Sequence, residues 1–247
     1  MPIRIRIRRH AERPTTGEGH GGAQTPLTEK GKQHAFLLGK KLKGKQQTHF
    51  YSTPIGRSVE TARQIAKGAN RKNAKIHIRE GLTRFIKPHS PSESQTLTRL
   101  LTPPAHEVIR DWLQGKLPKH LFYSPHEMAV HMAYTMRHAL RGTEKLYQWH
   151  ARAAEEKRRT TGKKVPRRNP FINIEAIAHD VTIVALVHAL TGNPPAIRGE
   201  NYADFLEHAE LQFKPTKSGI MGVRLLFRGK PYDVTRRFNE LVKEGRS

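Results

Sequence analysis

The stretch Ile3–Pro14, IRIRIRRHAERP, decides the fold because isoleucine and arginine alternate along its first half. A period of two is typical of a β-strand with one apolar face. The strand runs directly into Arg9, His10 and Arg13, where a loop rich in Gly, Pro and Thr begins. In an open α/β sheet, ligands bind at the carboxyl ends of the strands, so this stretch predicts a site as well as a strand.

Helices and strands alternate after this first strand. The segments LTEKGKQHAFLLGKKL and TPIGRSVETARQIAKG have apolar residues at helical spacing, and Thr28 is suited to cap the first of them. The short segments THFYS and AKIHI are typical of strands. This β-α-β-α-β order predicts an α/β fold with a three-layer α/β/α core and a mostly parallel sheet.

The alternation of strands and helices stops over residues 84–170, where helical patterns dominate. Ser124 and Glu127 form a capping-box pattern that opens a helix expected to reach Arg159. The segment FINIEAIAHD then resumes the core pattern, followed by a helix that ends at Gly192, two strands and a final helix. We expect an α/β core over residues 1–83 and 171–247 with a helical insertion, or cap, over residues 84–170. A separate helical domain is the alternative.

The composition limits the class of protein. The 45 Lys and Arg residues against 21 Asp and Glu residues give a formal net charge of +24, which favours anionic partners. The absence of cysteine excludes disulfides, thiolate metal sites and a cysteine nucleophile. No apolar run approaches the ~20 residues that span a bilayer, and the N-terminus has no apolar signal region. We expect a cytoplasmic protein without a membrane partner; the sequence leaves the oligomeric state open.

Polar side chains from three strand ends are expected to meet at one edge of the sheet. They are Arg9, His10, Arg13, Arg57, His179 and Asp180. Three arginines together can take a phosphate from water and hold it, and an unprotonated imidazole is a competent nucleophile. A carboxylic acid can protonate the leaving oxygen. The set contains each part needed for covalent phosphoryl transfer without a metal or other cofactor.

Four segments resemble motifs of the histidine phosphatase superfamily, in particular of its acid phosphatase and phytase branch. RHAERP resembles the Arg-His-Gly-x-Arg-x-Pro signature, and PLTEKGKQHAFLLGKKL resembles the Leu-Thr-x-x-Gly helix. YSTPIGRSVETA is similar to the segment with a third phosphate-binding arginine, and AHDVTIVALVHAL to the His-Asp motif and its helix. The resemblance implies a phosphoglycerate mutase-like α/β core with a variable helical insertion.

The resemblance also implies roles for individual residues. His10 would be the phosphorylated nucleophile, Asp180 the proton donor, and His179 a second histidine that donates to the phosphate oxygens. The phosphate-binding residues would be Arg9, Arg13 and Arg57. The implied activity is hydrolysis of phosphate monoesters through a phosphohistidine, with a phosphorylated small molecule or a phosphoprotein as substrate.

The sequence departs from the family pattern in two places. Ala11 stands where the family usually has Gly, and Pro14 comes one place early. The branch that includes phosphoglycerate mutases uses a Glu after the third strand as its acid. Glu80 lies near that place, but our alignment puts Arg84 at the expected position, so Asp180 is preferred and Glu80 is kept as the alternative.

Two other functions fit the same residues. A phosphoglycerate mutase-like phosphotransferase would return the phosphoryl group to its substrate. An inactive relative would be a basic module that binds phosphate or nucleic acid, for which Ala11 and the net charge are the support. Nucleic acid is otherwise not the expected partner.

Three basic features have more than one interpretation. The run Lys157–Arg168 is expected to be a solvated loop, with attraction of an anionic substrate as the alternative. His20 is expected to be a solvated loop residue, with an approach to the substrate as the alternative. The Arg4, Arg6 and Arg8 face of the first strand is unusual, because a central strand covered on both faces is normally apolar. Partial exposure, or pairing with carboxylates on helices, is expected there.

Overall fold

The alternating stretch forms the strand β1 (Ile3–Arg9) in the computed structural model, which describes residues 3–14, 25–42, 47–161, 172–196, 203–215 and 221–246. The further strands are β2 (Gln47–Ser52), β3 (Ile76–Ile78), β4 (Ile172–Ala178), β5 (His208–Pro215), β6 (Met221–Phe227) and β7 (Lys230–Asp233). The helices are α1 (Glu29–Lys41), α2 (Gly56–Gly68), α3 (Pro91–Leu101), α4 (Ala105–Leu113), α5 (Pro125–Thr161), α6 (Asp180–Thr191) and α7 (Thr235–Glu244). A short 3-10 helix (Glu80–Leu82) follows β3.

The helix ends follow the sequence signals. The Thr28 hydroxyl accepts a hydrogen bond from the Gly31 amide at 2.9 Å and caps α1. The Ser124 amide donates to the Glu127 carboxylate at 2.7 Å, and the Glu127 amide donates back to the Ser124 hydroxyl at 3.1 Å. Gly192 ends α6 with a φ of 80°, a left-handed conformation that glycine adopts without strain. These three predicted helix ends are confirmed.

The sheet is mixed rather than mostly parallel. Its strand order is β3-β2-β4-β1-β5-β6-β7. The pairs among β3, β2, β4 and β1 are parallel, and the pairs from β1 through β5 and β6 to β7 are antiparallel. The segment IMGVRLLFRGKPYDV, expected as one strand, turns at Arg228 and Gly229, whose φ values of 49° and 76° suit a tight hairpin. Because a hairpin needs only two turn residues, β7 follows β6 directly and pairs with it antiparallel.

Helices cover the two faces of the sheet, as expected for a three-layer core. The helices α5, α6 and α7 bury one face, which carries the isoleucines of β1. On the other face α1 and α2 pack over Phe50 and Ile177. The two helices α1 and α2 cross at glycines, since a Cβ at Gly39 would lie well inside contact distance of the Ile65 carbonyl oxygen. The α/β fold class is confirmed.

The described part of residues 84–170 contains the helices α3, α4 and α5, and an isolated β-bridge joins Ile86 to Phe122. The long helix α5 opens at Pro125 and reaches Thr161. The buried methionines of its first half belong to the same apolar cluster as β1. The division of the chain into a core and an inserted cap stays a prediction. No helix in the described part of the chain is both long and apolar enough to cross a membrane.

The arginine face of β1 pairs with carboxylates on neighbouring strands, not on helices. Glu175 of β4, which is fully buried, accepts hydrogen bonds from Arg6 Nη1 at 2.9 Å and from Arg8 Nη2 at 3.1 Å. Glu210 of β5 accepts from Arg6 Nε at 2.7 Å. Arg4 is half-buried at the end of this row and lies 3.9 Å from Glu210. The strands therefore supply a buried ionic layer that neutralises most of this face.

Substitution of Glu175 by Gln is expected to destabilise the fold by about 3–5 kcal/mol, because it leaves the buried Arg8 guanidinium without a counter-charge and removes one of the two carboxylates that pair with Arg6. The exposed Glu240, which pairs with Arg236 at 3.0 Å, is the matched control, and Glu240→Gln should change the unfolding free energy by less than about 1 kcal/mol. Urea unfolding of both variants measures the difference. Equal effects would show that the buried layer does not contribute to stability.

Candidate active site

The carboxyl ends of three parallel strands bring the predicted side chains together. The His10 amide donates to the Ala178 carbonyl at 3.0 Å, which continues the β1–β4 pairing past the end of β1. The Thr53 amide donates to the Ile177 carbonyl at 3.1 Å and does the same for β2. His10, Thr53 and His179 are therefore adjacent although they are far apart in sequence.

The two histidines form the centre of the site. Their ring centroids are 5.2 Å apart, with an edge-to-face arrangement of 66°. His10 Nδ1 lies 2.8 Å from the Ala11 carbonyl oxygen, and Arg57 Nε donates to His10 Nε2 at 3.1 Å. Because a carbonyl only accepts and a guanidinium only donates, the neutral ring carries its proton on Nδ1. The lone pair of His10 Nε2 consequently points toward Arg57.

The second histidine lies at the start of α6. His179 occupies the N-cap position, and its Nε2 lies 3.5 Å from the Thr53 hydroxyl. Asp180 follows in the first turn of α6, where its Oδ1 accepts from the Val181 amide at 3.0 Å. Its Oδ2 lies 3.8 Å from Arg9 Nη2. The Asp180 carboxylate thus lies between the first turn of α6 and Arg9.

The three predicted arginines differ in their burial. Arg9 is buried, and Arg13 and Arg57 are half-buried. Arg9 Nε is a buried donor without a hydrogen-bond partner. Burial of an unpaired donor costs free energy unless a ligand oxygen accepts its hydrogen bond. Burial, followed by the charge of Arg13, lowers the pKa of Arg57 from 12.5 to about 10. Burial and the charge of Arg9 also lower the pKa of Arg13. The guanidinium groups repel one another and remain charged at neutral pH.

Both histidines are held neutral. Burial, followed by the charges of His179 and Arg57, lowers the pKa of His10 well below 6.5. Burial and the charge of Arg57 lower the pKa of His179 to about 3. With neutral imidazoles, the three arginines outweigh Asp180 by two positive charges. This charge matches that of a phosphate dianion.

A hydrogen-bonded chain fixes the end of β1 against α2. The Ala11 amide donates to the Thr61 hydroxyl at 3.0 Å, and that hydroxyl donates to the Arg57 carbonyl at 2.8 Å. Ala11 is fully buried and is not among the described non-glycine residues with positive φ, which are Asn70, Leu206 and Arg228. The replacement of the family's Gly by Ala11 therefore introduces no left-handed strain.

The two candidate acids lie at different strand ends. Asp180 contacts Arg9, and its charge acts on both His179 and Arg57. Glu80 follows β3 by one residue and begins the 3-10 helix, with an exposed side chain. Arg84 lies farther along, with Nη1 3.4 Å from His131 Nε2. Glu80 is thus the first carboxylate after the third strand.

Other predicted positions are outside the site or outside the described residues. His20 and residues 162–168 of the basic run lie outside the described residues. Arg158 and Arg159 are exposed in the last turn of α5. Among the described residues there is no group of three or more side chains arranged to hold a metal ion.

Sequence reasoning missed the contribution of Thr53 and of the segment Ala203–Glu207. Thr53 lies inside the quoted YSTPIGRSVETA segment, so its position directly after a strand was a usable signal. The Phe205 ring lies 5.9 Å from the His10 ring and 4.3 Å from Arg9 Cζ. No sequence signal points to Phe205, because its place depends on the antiparallel pairing of β5 with β1.

Comparisons with known proteins match the N-terminal part of the chain to a known family. The family model of the histidine phosphatase superfamily (branch 1) matches residues 5–84, which include His10, Arg57 and Glu80. No curated protein sequence matches the chain. The acid phosphatase and phytase branch, which the motifs favoured, is not confirmed.

Solved structures share the fold at low sequence identity. A phosphoglycerate mutase from Bacillus anthracis str. Sterne is 18% identical, with a TM-score of 0.52 over 100% of this chain and 97% of that one. A mycobacterial glucosyl-3-phosphoglycerate phosphatase in complex with VO3 is 18% identical, with a TM-score of 0.53 over 90% of this chain and 96% of that one. A protein titled mycobacterial hydrolase 1 is 17% identical, with a TM-score of 0.52 over 94% of this chain and 100% of that one. Residues 5–84 of the chain thus match the histidine phosphatase superfamily, and the fold is phosphoglycerate mutase-like.

Proposed function

We propose that the protein is a phosphatase that hydrolyses phosphate monoesters through a phosphohistidine at His10, without a metal ion. The observation that carries the proposal is the hydrogen bond from Arg57 Nε to His10 Nε2, at 3.1 Å. It fixes the tautomer whose nucleophilic nitrogen faces the arginines. A phosphate oxygen that accepts the Arg57 Nε donor in place of His10 would free that lone pair and place the phosphorus in front of it.

In the first step, the lone pair of His10 Nε2 forms a bond to phosphorus while the ester P–O bond breaks. The leaving oxygen takes a proton from the acid, for which Asp180 is the first candidate. Arg9, Arg13 and Arg57 bind the phosphoryl oxygens, whose charge is spread in the transition state. His179 donates a further hydrogen bond to an oxygen when its Nε2 carries the proton.

In the second step, water attacks phosphorus and gives a proton to the same carboxylate. The N–P bond breaks, inorganic phosphate leaves, and His10 returns to its neutral form. The low pKa of His10 supports the first step, because its Nε2 is unprotonated at neutral pH. In the second step, imidazole leaves as a neutral group because Nδ1 keeps its proton. The substrate class is a phosphorylated small molecule or phosphoprotein; the glucosyl-3-phosphoglycerate phosphatase among the structural relatives is consistent with a small phosphorylated acid.

Replacement of His10 by Ala is expected to abolish phosphate release from p-nitrophenyl phosphate, lowering kcat/KM by about 10³-fold or more, because the nucleophile is lost. When the wild type reacts with a substrate labelled in its phosphoryl group, a quench with alkali should leave label on the protein. Acid should remove that label, as expected for a phosphohistidine. His34→Ala, at an exposed position of α1, is the control and should keep full activity. Wild type that releases no phosphate between pH 4 and 8 would refute the phosphatase and favour the binding module. Return of label to the substrate without phosphate release would identify a mutase.

Glu80 is a second candidate for the proton donor, since it follows β3 directly and lies in the segment matched by the branch 1 model. Loss of the acid should slow the hydrolysis of an alkyl phosphate, such as glycerol phosphate, by about 10²–10⁴-fold. Hydrolysis of p-nitrophenyl phosphate should slow much less, because its leaving group needs no proton. We expect this pattern for Asp180→Asn and not for Glu80→Gln. The reverse pattern would assign the role to Glu80.

The neutral state of His179 predicts a pH dependence of stability. In the unfolded chain a histidine takes up a proton below about pH 6.5, whereas in the folded protein His179 takes one up only near pH 3. Stability is therefore lost as the pH falls, by about 2 kcal/mol from this group between pH 6.5 and 5. Urea unfolding in phosphate-free buffer should show a smaller loss for His179→Asn than for wild type. Equal slopes would mean that His179 is charged in the folded protein.

A further inference from the structure

The turn Ala203–Glu207 lies at the phosphate site because β5 runs antiparallel to β1. The beginning of β5 therefore meets the carboxyl end of β1, with His208 paired to Arg8. The Arg9 amide donates to the Glu207 carbonyl at 2.9 Å. The turn is thus attached to the main chain of the residue that carries one of the three site arginines.

The same turn holds the side chain of Arg9. Arg9 Nη1 donates to the Ala203 carbonyl, and Arg9 Cζ lies over the Phe205 ring, 4.3 Å from its centroid. The Asp180 carboxylate is a third neighbour of the Arg9 side chain. These contacts leave Arg9 Nε without a partner in a buried position. The turn therefore determines which donors of Arg9 remain available to a phosphate.

The turn is held in a conformation that its own sequence does not favour. Leu206 has a φ of 62°, in the left-handed region that bulky side chains seldom adopt. Such a conformation persists only where the surroundings determine it. One such contact is the hydrogen bond from Arg8 Nη1 to the Leu206 carbonyl at 2.7 Å.

A second and stronger contact comes from the β6–β7 hairpin. Arg228 Nε donates to Glu207 Oε1 at 2.7 Å, and Arg228 Nη2 donates to Oε2 at 3.2 Å. Both side chains are largely buried, so this bidentate pair holds the turn more strongly than a surface ion pair would. Glu207 Oε2 also accepts from the Asp204 amide at 2.8 Å. The Glu207 carboxylate therefore ties the turn together and ties it to the hairpin.

We propose that Arg228 is a positioning residue of the phosphate site: through Glu207 it holds the Ala203–Glu207 turn in the conformation that fixes Arg9. The inference rests on the proposed function only in that the site binds phosphate. The described hydrogen bonds of Arg228 go to Glu207 and to the Ala196 carbonyl, and within the described residues none joins it to the histidines or to the three site arginines. It acts on phosphate affinity through Arg9.

Isothermal titration with inorganic phosphate tests this role. Arg228→Ala should weaken phosphate binding about tenfold, and Arg228→Lys should weaken it nearly as much, because lysine cannot make the bidentate pair. Arg236→Ala, at an exposed arginine that also pairs with a glutamate, is the matched control and should leave affinity unchanged. Unchanged affinity in Arg228→Ala, with phosphate binding intact in the wild type, would overturn the inference. Absence of phosphate binding in the wild type would instead refute the proposed function.

Glu207→Gln separates positioning from long-range electrostatics. Removal of a negative charge near an anion site should tighten phosphate binding if only net charge matters. If Glu207 and Arg228 hold the turn, the same substitution should weaken binding about as much as Arg228→Ala does. Tighter binding would contradict the proposal.

A double-mutant cycle with Arg9→Ala tests the route of the effect. If Arg228 acts through Arg9, then Arg228→Ala should have little further effect on phosphate affinity in the Arg9→Ala background. If Arg228 only stabilises the fold, the two losses of affinity should multiply. Thermal unfolding of the four proteins without phosphate identifies a general loss of stability. A multiplicative result would overturn the positioning role.

Discussion

The hydrogen bond from the His10 amide to the Ala178 carbonyl, at 3.0 Å, is the contact on which the site depends. It extends the parallel pairing of β1 and β4 by one residue beyond the strands. Because of it, the residue after one strand lies beside the residue after the other, and their imidazole rings come within 5.2 Å. A shift of register would move the histidines apart and reverse which β1 side chains face each side of the sheet.

The site gathers more positive charge than its own carboxylate can balance. Arg9, Arg13 and Arg57 repel one another, as the lowered pKa values of Arg13 and Arg57 indicate. The same field, together with burial, keeps His10 and His179 neutral. One arrangement therefore supplies both an attraction for a dianion and an unprotonated nucleophile at neutral pH.

Charged groups also hold the elements behind the site. Glu175 lies between Arg6 and Arg8 in the buried layer beneath β1, and Arg8 reaches from that layer to the Leu206 carbonyl. Arg228 holds the same turn from the hairpin. Breaking such buried pairs leaves uncompensated charge, so they fix the geometry more firmly than exposed pairs would. Much of the positive charge of the β1 arginines is therefore paired with carboxylates inside the fold.

The sequence by itself determined the α/β class, the main helix ends and the six candidate residues, because these follow from local periodicity, capping and motif spacing. Strand order was not readable, since hairpin and crossover connections depend on pairing partners distant in the chain. Only the tertiary structure placed Phe205 beside His10, matched Arg6 and Arg8 with carboxylates on strands, and joined Arg228 to Glu207. The physical reason is that local patterns specify which face of an element is apolar, whereas the neighbours of a buried charge are set by the register of the whole sheet.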